Sequence, residues 1–380
     1  MQLSPENNTT RTTWLIIVLF LTLFLIALIR TAWISDDAAI TLRTVLNFVN
    51  GFGPTFNIAE RVQAYTHPLW FFILSLGSLV SSNVFYTTIF ISIAFSLAAF
   101  LLLCRSASNN PTVIALIGLA VVLSKAFVDF STSGLENPLS HLLLLLTVLS
   151  ASAYQHKHQE EPRNSLTVYF LVCSGLYLTR PDLLVLVLPL SMYLAFSEIH
   201  QPRQLASSLV LAATPVIVWT AFSLFYYGFP LPNTAYAKLG TGIPVDERVI
   251  QGFRYLFHSA NNDPVTLFVI VVGSIYGFIG SRISQSLSIG IIFYLVYALY
   301  IGGDFMEGRF LTAPFFVALI IFARELSNTK LAYILIALVL ILGSASVHPN
   351  LIAGSTYSNT QISEFGIADE RGYYFQRYGL

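Results

Sequence analysis

Long apolar stretches separated by short polar ones define the pattern of this chain. Eleven of these stretches are long enough, or nearly so, to cross a bilayer as helices, which takes about 20 residues. They are Thr13–Trp33, Val84–Cys104, Pro111–Phe127, Pro138–Tyr154, Ser165–Leu178, Leu183–Phe196, Leu205–Tyr226, Val265–Gly280, Leu287–Gly302, Phe310–Phe322 and Leu331–Gly343. A further run, Leu69–Val80, is only 12 residues long and follows a proline. We therefore predict that Leu69–Val80 is re-entrant or interfacial rather than a span.

The first apolar run could be either a cleaved targeting segment or a membrane anchor. Thr13–Trp33 has 21 residues, about 32 Å as a helix, which is enough to cross the membrane. It is too long for the apolar core of a signal peptide and has no small-residue cleavage site. The pattern predicts a retained membrane anchor.

Two sets of loops follow if the N-terminus is cytoplasmic and Leu69–Val80 does not cross. The predicted cytoplasmic loops are short, and each carries a Lys or Arg, as the positive-inside rule expects. They are Arg105–Asn110, Gln155–Asn164, Glu198–Gln204, Ser281–Ser286 and Ala323–Lys330. The loops on the other side, called the outer loops, hold 14 of the 19 acidic residues. The polar chemistry of the chain is thus expected on its outer face.

Composition agrees with this topology. The chain has 380 residues, of which 55% are hydrophobic and 10% charged, and its mean hydropathy is +0.71; soluble domains carry about 25% charged residues. Net charge is zero without a basic run, so nucleic acid is not an expected partner. Both cysteines lie in apolar stretches, which argues against a disulfide framework. The prediction is an all-α polytopic membrane protein, with a transmembrane domain over 1–345 and a short outer tail over 346–380.

The first outer loop, residues 34–68, carries the first candidate site. Ser35, Asp36 and Asp37 can cap a following helix that Gly51 can end. Within it, one predicted apolar face consists of Leu42, Val45, Leu46 and Val49, opposite Arg43, Thr44, Asn47 and Asn50. This pattern is typical of a helix that lies at an interface. The two carboxylates would act as general base or cation ligand, or would only cap the helix.

Other outer loops carry charged residues at the ends of apolar runs. His67 is a candidate acid, base, ligand or packing residue, and the nearby Tyr65 and Trp70 suit an interfacial aromatic belt. Glu136 precedes a predicted span, where an acid needs a partner. Arg180 and Asp182 share a tight turn, in which they contact a substrate or simply pair with each other.

Two later loops combine turn residues with cations. Asn233 and Thr234 can cap a short helix, and Lys238 follows one turn later, well placed for a phosphate. Arg309 lies at a predicted membrane edge, after Asp304 and Glu307. A guanidinium there suits bidentate phosphate binding, although a salt bridge with one of the two acids is the alternative. Taken together, the outer loops indicate a site for an anionic, membrane-borne substrate.

Six segments resemble one family in order along the chain. They are "SDDAAITLRTVLNFVNGFGPTFNIAERVQAYTHPLW", "TSGLENPL", "RPDLL", "YYGFPLPNTAYAKL", "GGDFMEGRF" and "ADERGYYFQRYGL". They are similar to the GT-C glycosyltransferases, specifically the branch with the terminal β-(1→2)-arabinofuranosyltransferases. The resemblance implies a GT-C-like bundle of about 11 transmembrane helices with outer-face interfacial helices. It also implies inverting transfer of a sugar from a polyprenyl-phosphate donor to a cell-envelope glycan, on the outer side of the cytoplasmic membrane.

The resemblance also implies roles for residues of this chain. Asp36 or Asp37 becomes the base that deprotonates the acceptor hydroxyl, Asp36 being the first choice. The lipid phosphate would meet Arg180, Lys238 and Arg309, where a cation stabilises the leaving charge. The remaining candidates for substrate binding are His67, Glu136, Asn233, Asp182 and Asp304. Some proteins of this fold use a divalent cation (Mg²⁺, Mn²⁺ or Ca²⁺) held by acidic residues, and this sequence leaves such a cofactor open.

Two alternatives stay open at this point. Family members carry a sizeable outer domain after the last span, whereas about 35 residues follow it here. This leaves open whether that domain is absent, reduced or supplied by another protein, and it makes a non-catalytic membrane scaffold one alternative. The other is a transporter or flippase of a lipid-linked glycan, but transporters place ionisable residues near the bilayer midplane. Here they lie at span ends, which favours catalysis on the outer face.

Overall fold

The computed structural model describes residues 5–107, 110–157, 162–239, 242–351 and 362–380. Within these ranges every regular element is helical, joined by two isolated β-bridges. The helices are α1 (Pro5–Thr31), α2 (Asp36–Val49), α3 (Pro68–Val80), α4 (Val84–Ser106), α5 (Pro111–Leu123), α6 (Lys125–Phe130), α7 (Asn137–Lys157), α8 (Pro162–Thr179), α9 (Leu183–Ser197), α10 (Pro202–Tyr227), α11 (Asn233–Leu239), α12 (Val245–Asn262), α13 (Pro264–Phe278), α14 (Arg282–Ile301), α15 (Thr312–Glu325), α16 (Thr329–Ser344) and α17 (Glu370–Tyr378). The expectation of an all-α fold is confirmed for these residues.

Each predicted apolar run corresponds to a helix, but the helices differ in length. Five are long and apolar enough to cross a membrane: Thr10–Thr31, Val84–Ser106, Asn137–Gln155, Pro202–Tyr227 and Arg282–Ile301. Six further apolar helices have 10–17 residues, among them α3. The chain is a multi-pass membrane protein, while the figure of about 11 spans stays a prediction.

Helix α15 forms the centre of the bundle. All of its residues from Thr312 to Ala323 are buried, and it packs against α13, α14, α7, α5 and α4. A helix enclosed by other helices has no lipid-facing side. Its 14 residues therefore need not match the bilayer thickness as a lipid-exposed span does.

The predicted run Pro111–Phe127 is broken in the structure. Helix α5 ends at Leu123, and the Ser124 side chain caps a second helix by accepting from the N–H of Phe127. The carbonyls of Val122 and Ser124 accept from the Asn350 side chain, at 3.1 and 3.0 Å. The prediction of one continuous span here was therefore wrong, and the break moves Lys125 out of the apolar helix.

The helix of the first outer loop is present, with one change of face. The Ser35 hydroxyl accepts from the N–H of Ala38, and Gly51 follows the helix with φ of +83°, both as predicted. However, Leu46 is 41% exposed whereas Thr44 is buried. The buried face of α2 is therefore narrower and more polar than the predicted apolar face. The reason is that α2 packs against other parts of the protein and not only against an apolar membrane surface.

The aromatic belt predicted from Tyr65 and Trp70 is not observed. Trp70 is fully buried, and its indole N–H donates to the carbonyl of Gly134 at 3.0 Å. Tyr65 is 1% exposed, and its hydroxyl lies 3.0 Å from that of Tyr227. These residues fasten loops together inside the protein instead of lying at a membrane surface.

Candidate functional site

Two indole groups fix the loop that carries Glu136. The N–H of Trp33 donates to the carbonyl of Asp129 (2.8 Å), and that of Trp70 donates to Gly134. Gly134 has φ of +80°, and a Cβ there would lie 2.8 Å from the Cβ of Ala38 in α2. A side chain at this position would be strained and would push the loop away from α2. This close approach brings Glu136 next to the N-terminal end of α2.

Seven sequence-predicted residues meet around Glu136, and we call them the Glu136 cluster: Asp37, His67, Glu136, Arg180, Asp182, Asp304 and Arg309. The Glu136 carboxylate lies 3.3 Å from the Arg309 guanidinium, 3.6 Å from that of Arg180 and 3.4 Å from His67 Nδ1. Five separate segments of the chain supply these groups. The convergence expected from the outer-loop motifs is therefore present in the structure.

Arg309 and Arg180 hold the other acids of the cluster. Arg309 Nη1 lies 3.6 Å from Asp304 and 3.9 Å from Asp37. Arg180 pairs with Asp182 at 2.6 Å, and the Tyr294 hydroxyl donates to the same Asp182 oxygen at 2.8 Å. Both local salt bridges that the sequence left open as alternatives are formed. They do not isolate the arginines, because both also reach Glu136.

Charge fixes the protonation states in this cluster. Burial opposes ionisation of Glu136, but the charges of Arg309, His67 and Arg180 outweigh it and lower its pKa to about 2. Burial lowers the pKa of His67, against the opposing pull of Glu136. Glu136 is therefore a carboxylate and His67 a neutral ring at neutral pH. The His67 Nε2 atom lies 2.9 Å from the hydroxyl of Thr41.

Each arginine of the cluster keeps an N–H group without a hydrogen-bond partner among the described residues. These are Nη1 of Arg180 and Nε of Arg309. Arg180 is only 6% exposed and the Arg309 side chain 13%. A buried guanidinium N–H that no protein atom satisfies is costly, unless a ligand or water completes it. Both groups suit an anion.

The two adjacent aspartates of α2 have different surroundings. Asp36 is exposed, its Oδ1 accepts from the N–H of Asp37 (2.7 Å), and its Oδ2 accepts from the Tyr374 hydroxyl (3.0 Å). Asp37 instead faces Arg309, with its side chain 41% exposed. The structure thus separates two residues that the sequence could not rank on position alone.

Two candidates lie apart from the cluster or outside the description. The N–H of Asn233 donates to the carbonyl of Gln63 at 3.3 Å, and its side chain is exposed. This places Asn233 against the first outer loop rather than among the ion pairs. The side chain of Lys238 lies outside the described residues.

A second group of buried charges was not predicted as a unit. We call it the Lys125 network: Lys125, Asp129, Glu307, Asp369 and Arg371. Lys125 Nζ lies 2.8 Å from Asp129, 3.0 Å from Asp369 and 3.8 Å from Glu307. Arg371 contacts the second oxygen of Asp129 at 2.6 Å. The tail motif "ADERGYYFQRYGL" was the sequence signal for two of its members.

A divalent cation was left open by the sequence. Within the described residues, no group of three or more His, Cys, Asp or Glu side chains is arranged to hold a metal ion. The acids of the Glu136 cluster turn to the arginines instead. The described side chains are therefore not arranged to hold such a cofactor.

Helices with apolar faces surround a cluster of buried charges at one end, as in a multi-pass membrane protein with a polar site. Comparison with known proteins makes this more specific. The chain is 29% identical to the terminal beta-(1->2)-arabinofuranosyltransferase of Mycobacterium tuberculosis, over 91% of this chain and 63% of that protein. It is also 29% identical to the protein of that name from Corynebacterium glutamicum, over 76% and 47% of the two chains. The resemblance indicated by the motifs is confirmed, and the chain spans about half to two-thirds of these relatives.

Two further comparisons complete the picture. No family model matches the chain. Among solved structures, the chain is similar to an Archaeoglobus fulgidus oligosaccharyltransferase tethered to an acceptor peptide, with a TM-score of 0.49 and 14% identity. That match covers 95% of this chain and 55% of the other.

Proposed function

We propose that this chain is a membrane glycosyltransferase that moves a sugar, arabinofuranose by analogy with its named relatives, from a polyprenyl-phosphate donor to a cell-envelope glycan. Two observations carry the proposal. The buried guanidinium groups of Arg180 and Arg309 each have an N–H group with no hydrogen-bond partner among the described residues. The partly exposed carboxylate of Asp37 lies beside Arg309. A phosphate leaving group and a hydroxyl nucleophile need this combination. The two similar proteins support the choice of reaction.

In the proposed mechanism, Asp37 is the base. It removes the proton of the acceptor hydroxyl, whose oxygen attacks the anomeric carbon and forms the new glycosidic bond with inversion. The bond from that carbon to the phosphate oxygen breaks, and the electron pair leaves with the phosphate. Arg180 and Arg309 then stabilise the added negative charge. Asp37 is preferred to Asp36 because it lies 3.9 Å from Arg309, within the Glu136 cluster, whereas Asp36 is bound to the Tyr374 hydroxyl of α17.

The charge balance of the cluster bears on donor binding. Four carboxylates, those of Asp37, Glu136, Asp182 and Asp304, face two guanidinium groups, so a phosphate meets an excess of negative charge. A further cation from the protein would correct this balance. Lys238 is the sequence candidate, and we propose that it reaches the phosphate when the donor binds.

We propose that the site faces outward from the cytoplasmic membrane. Contacts between loops support two separate ends: the outer loops meet in the Glu136 cluster, whereas predicted cytoplasmic segments contact one another. At that second end, Arg324 donates to Ser152 (2.7 Å), and Arg105 lies over the ring of Trp14 (5.8 Å).

The test is transfer by purified protein from synthetic polyprenyl-phosphate sugars, with Asp37→Asn and Asp36→Asn beside the wild type. Loss of a general base costs about 100- to 10,000-fold, so we expect that loss for Asp37→Asn and a smaller one for Asp36→Asn. An exposed acid of the same loop, changed as Glu60→Gln, is the control. Wild-type protein that transfers no sugar from any polyprenyl-phosphate donor would overturn the proposal. A larger loss for Asp36→Asn would move the base to Asp36.

A further inference from the structure

The segment after α16 forms backbone hydrogen bonds with the proposed site at two places. Near its end, Ile34 N–H donates to the carbonyl of Tyr378 and Leu380 N–H to that of Ala32, both at 3.1 Å. Just before α17, Ala368 pairs with the loop that carries Asp304 and Arg309. There the N–H of Glu307 donates to the carbonyl of Ala368 at 3.0 Å. The tail therefore joins the two segments that deliver Asp37 and Arg309.

Side chains of α17 strengthen this docking. The Tyr374 ring stacks on Trp33, with centroids 6.5 Å apart and planes at 13°, while its hydroxyl donates to Asp36. Asp369 and Arg371 are part of the buried Lys125 network. Since buried ion pairs are costly to break one partner at a time, this anchoring holds α17 in one place.

Glu370, the first residue of α17, has no role in that anchoring. It is 8% exposed, and its Oε2 has no hydrogen-bond partner among the described residues. Four acids contribute negative charge around it: Asp36 and Asp37 from α2, Asp304 from the loop after α14, and Asp369 from its own turn. Arg309 neutralises part of this charge through Asp37 and Asp304. A buried carboxyl with a spare oxygen, beside the proposed base, needs a ligand to complete it.

Protonation decides what Glu370 can offer. Burial, together with the charges of Asp36, Asp37 and Asp304, raises its pKa to about 8. Below that pH the group is a neutral acid, which can donate one hydrogen bond and accept others. Sugar hydroxyls match both capacities, whereas a phosphate would use only the donor.

We propose that α17 forms the acceptor side of the site and that the buried carboxyl of Glu370 hydrogen-bonds a hydroxyl of the acceptor sugar. This inference rests on the proposed function, which it extends by naming a residue that selects the acceptor. Above pH 8, ionised Glu370 adds a negative charge beside the base and loses its donor, so acceptor binding weakens.

The experiment measures donor and acceptor KM and kcat for Glu370→Ala and Glu370→Gln across pH 6 to 9.5. For Glu370→Ala we expect acceptor KM to rise about tenfold with donor KM unchanged, the size of one lost hydrogen bond. Glu370→Gln, which mimics the neutral acid, should keep acceptor KM within about threefold at pH 7 and lose the rise of acceptor KM above pH 8. The control is Glu364→Gln, an exposed acid of the same tail.

The outcomes separate the two proposals. If wild-type protein transfers sugar but Glu370→Gln keeps the wild-type rise of acceptor KM above pH 8, the inference on Glu370 is overturned and the proposed function stands. If Glu370→Ala does not fold, this pH comparison with the isosteric Gln variant still decides. Wild-type protein without transfer overturns the proposed function, and the role of Glu370 as an acceptor ligand with it.

Discussion

The Glu136 cluster and the Lys125 network lie at the same end of the protein and are both built from buried ion pairs, yet they differ in completeness. In the Glu136 cluster, Arg180 and Arg309 keep N–H groups that no described residue accepts, and the Asp37 side chain is 41% exposed. In the Lys125 network, Lys125 has three carboxylates within 4 Å and is 3% exposed. A ligand needs polar groups that lack a partner and a site that is open to the outside. Charges that are paired with one another in the interior stabilise the fold instead.

The largest effect is expected from breaking the Lys125 network. Lys125→Met removes the cation that three buried carboxylates share, and Arg371 still contacts only one of them, Asp129, so we expect a loss of about 3–5 kcal/mol in the free energy of unfolding. Denaturant titration in detergent micelles measures it, with Lys330→Met at an exposed position as the control. A loss below about 1 kcal/mol, the size of a surface ion pair, would contradict the structural role of the network.

The second-largest effect is expected from a substitution in the Glu136 cluster. Arg309→Lys keeps the charge but loses the planar fork, and we expect kcat to fall about 100- to 1000-fold, as for removal of one donor from a developing charge. Kinetics of sugar transfer check this, together with a melting temperature to show that the fold is retained. Arg254→Lys, at an exposed arginine of a predicted outer loop, should leave kcat unchanged. Equal losses in both variants would remove Arg309 from the proposed site.

The third effect is a dependence of stability on pH. The pKa of Glu136 is about 2 in the folded protein and 4.5 ordinarily, so its contribution is present above pH 4.5 and is lost as pH falls towards 2. The difference corresponds to about 3 kcal/mol. Unfolding measured between pH 6 and pH 2.5 should show a smaller acid loss in Glu136→Gln than in wild type. The same acid loss in both proteins would show that Glu136 is not held as a carboxylate.

Much of the helical framework could be predicted from the sequence because apolar runs report burial directly. Apart from Pro111–Phe127, which is broken at Ser124, each predicted run corresponds to one helix, and the cap at Ser35 and the turn at Gly51 follow from local chemistry. The break at Ser124 could not be read in this way. It depends on Asn350, more than two hundred residues later, which satisfies the carbonyls that the break exposes.

The candidate site shows the same difference between residues that local patterns predict and residues that depend on long-range contacts. Sequence motifs predicted Asp37, Glu136, Arg180 and Arg309 as site residues, because charged residues at span ends need partners, and the structure brings these four together. The motifs did not identify α17 as a helix or Glu370 as a site residue. Those assignments depend on the docking of Tyr374 against Trp33 and Asp36, a contact between distant segments that no local pattern encodes.

The Lys125 network also sets an order of events during biosynthesis. Lys125 and Asp129 are synthesised in the first third of the chain, whereas Asp369 and Arg371 follow α16. Until that segment has emerged from the ribosome, Lys125 and Asp129 pair with each other at 2.8 Å but lack the contacts to Asp369 and Arg371. Nascent protein with an undocked tail therefore exposes an incomplete set of charges. The same docking that completes them positions Glu370 and Tyr374, so the proposed acceptor side of the site forms in the same step as the Lys125 network.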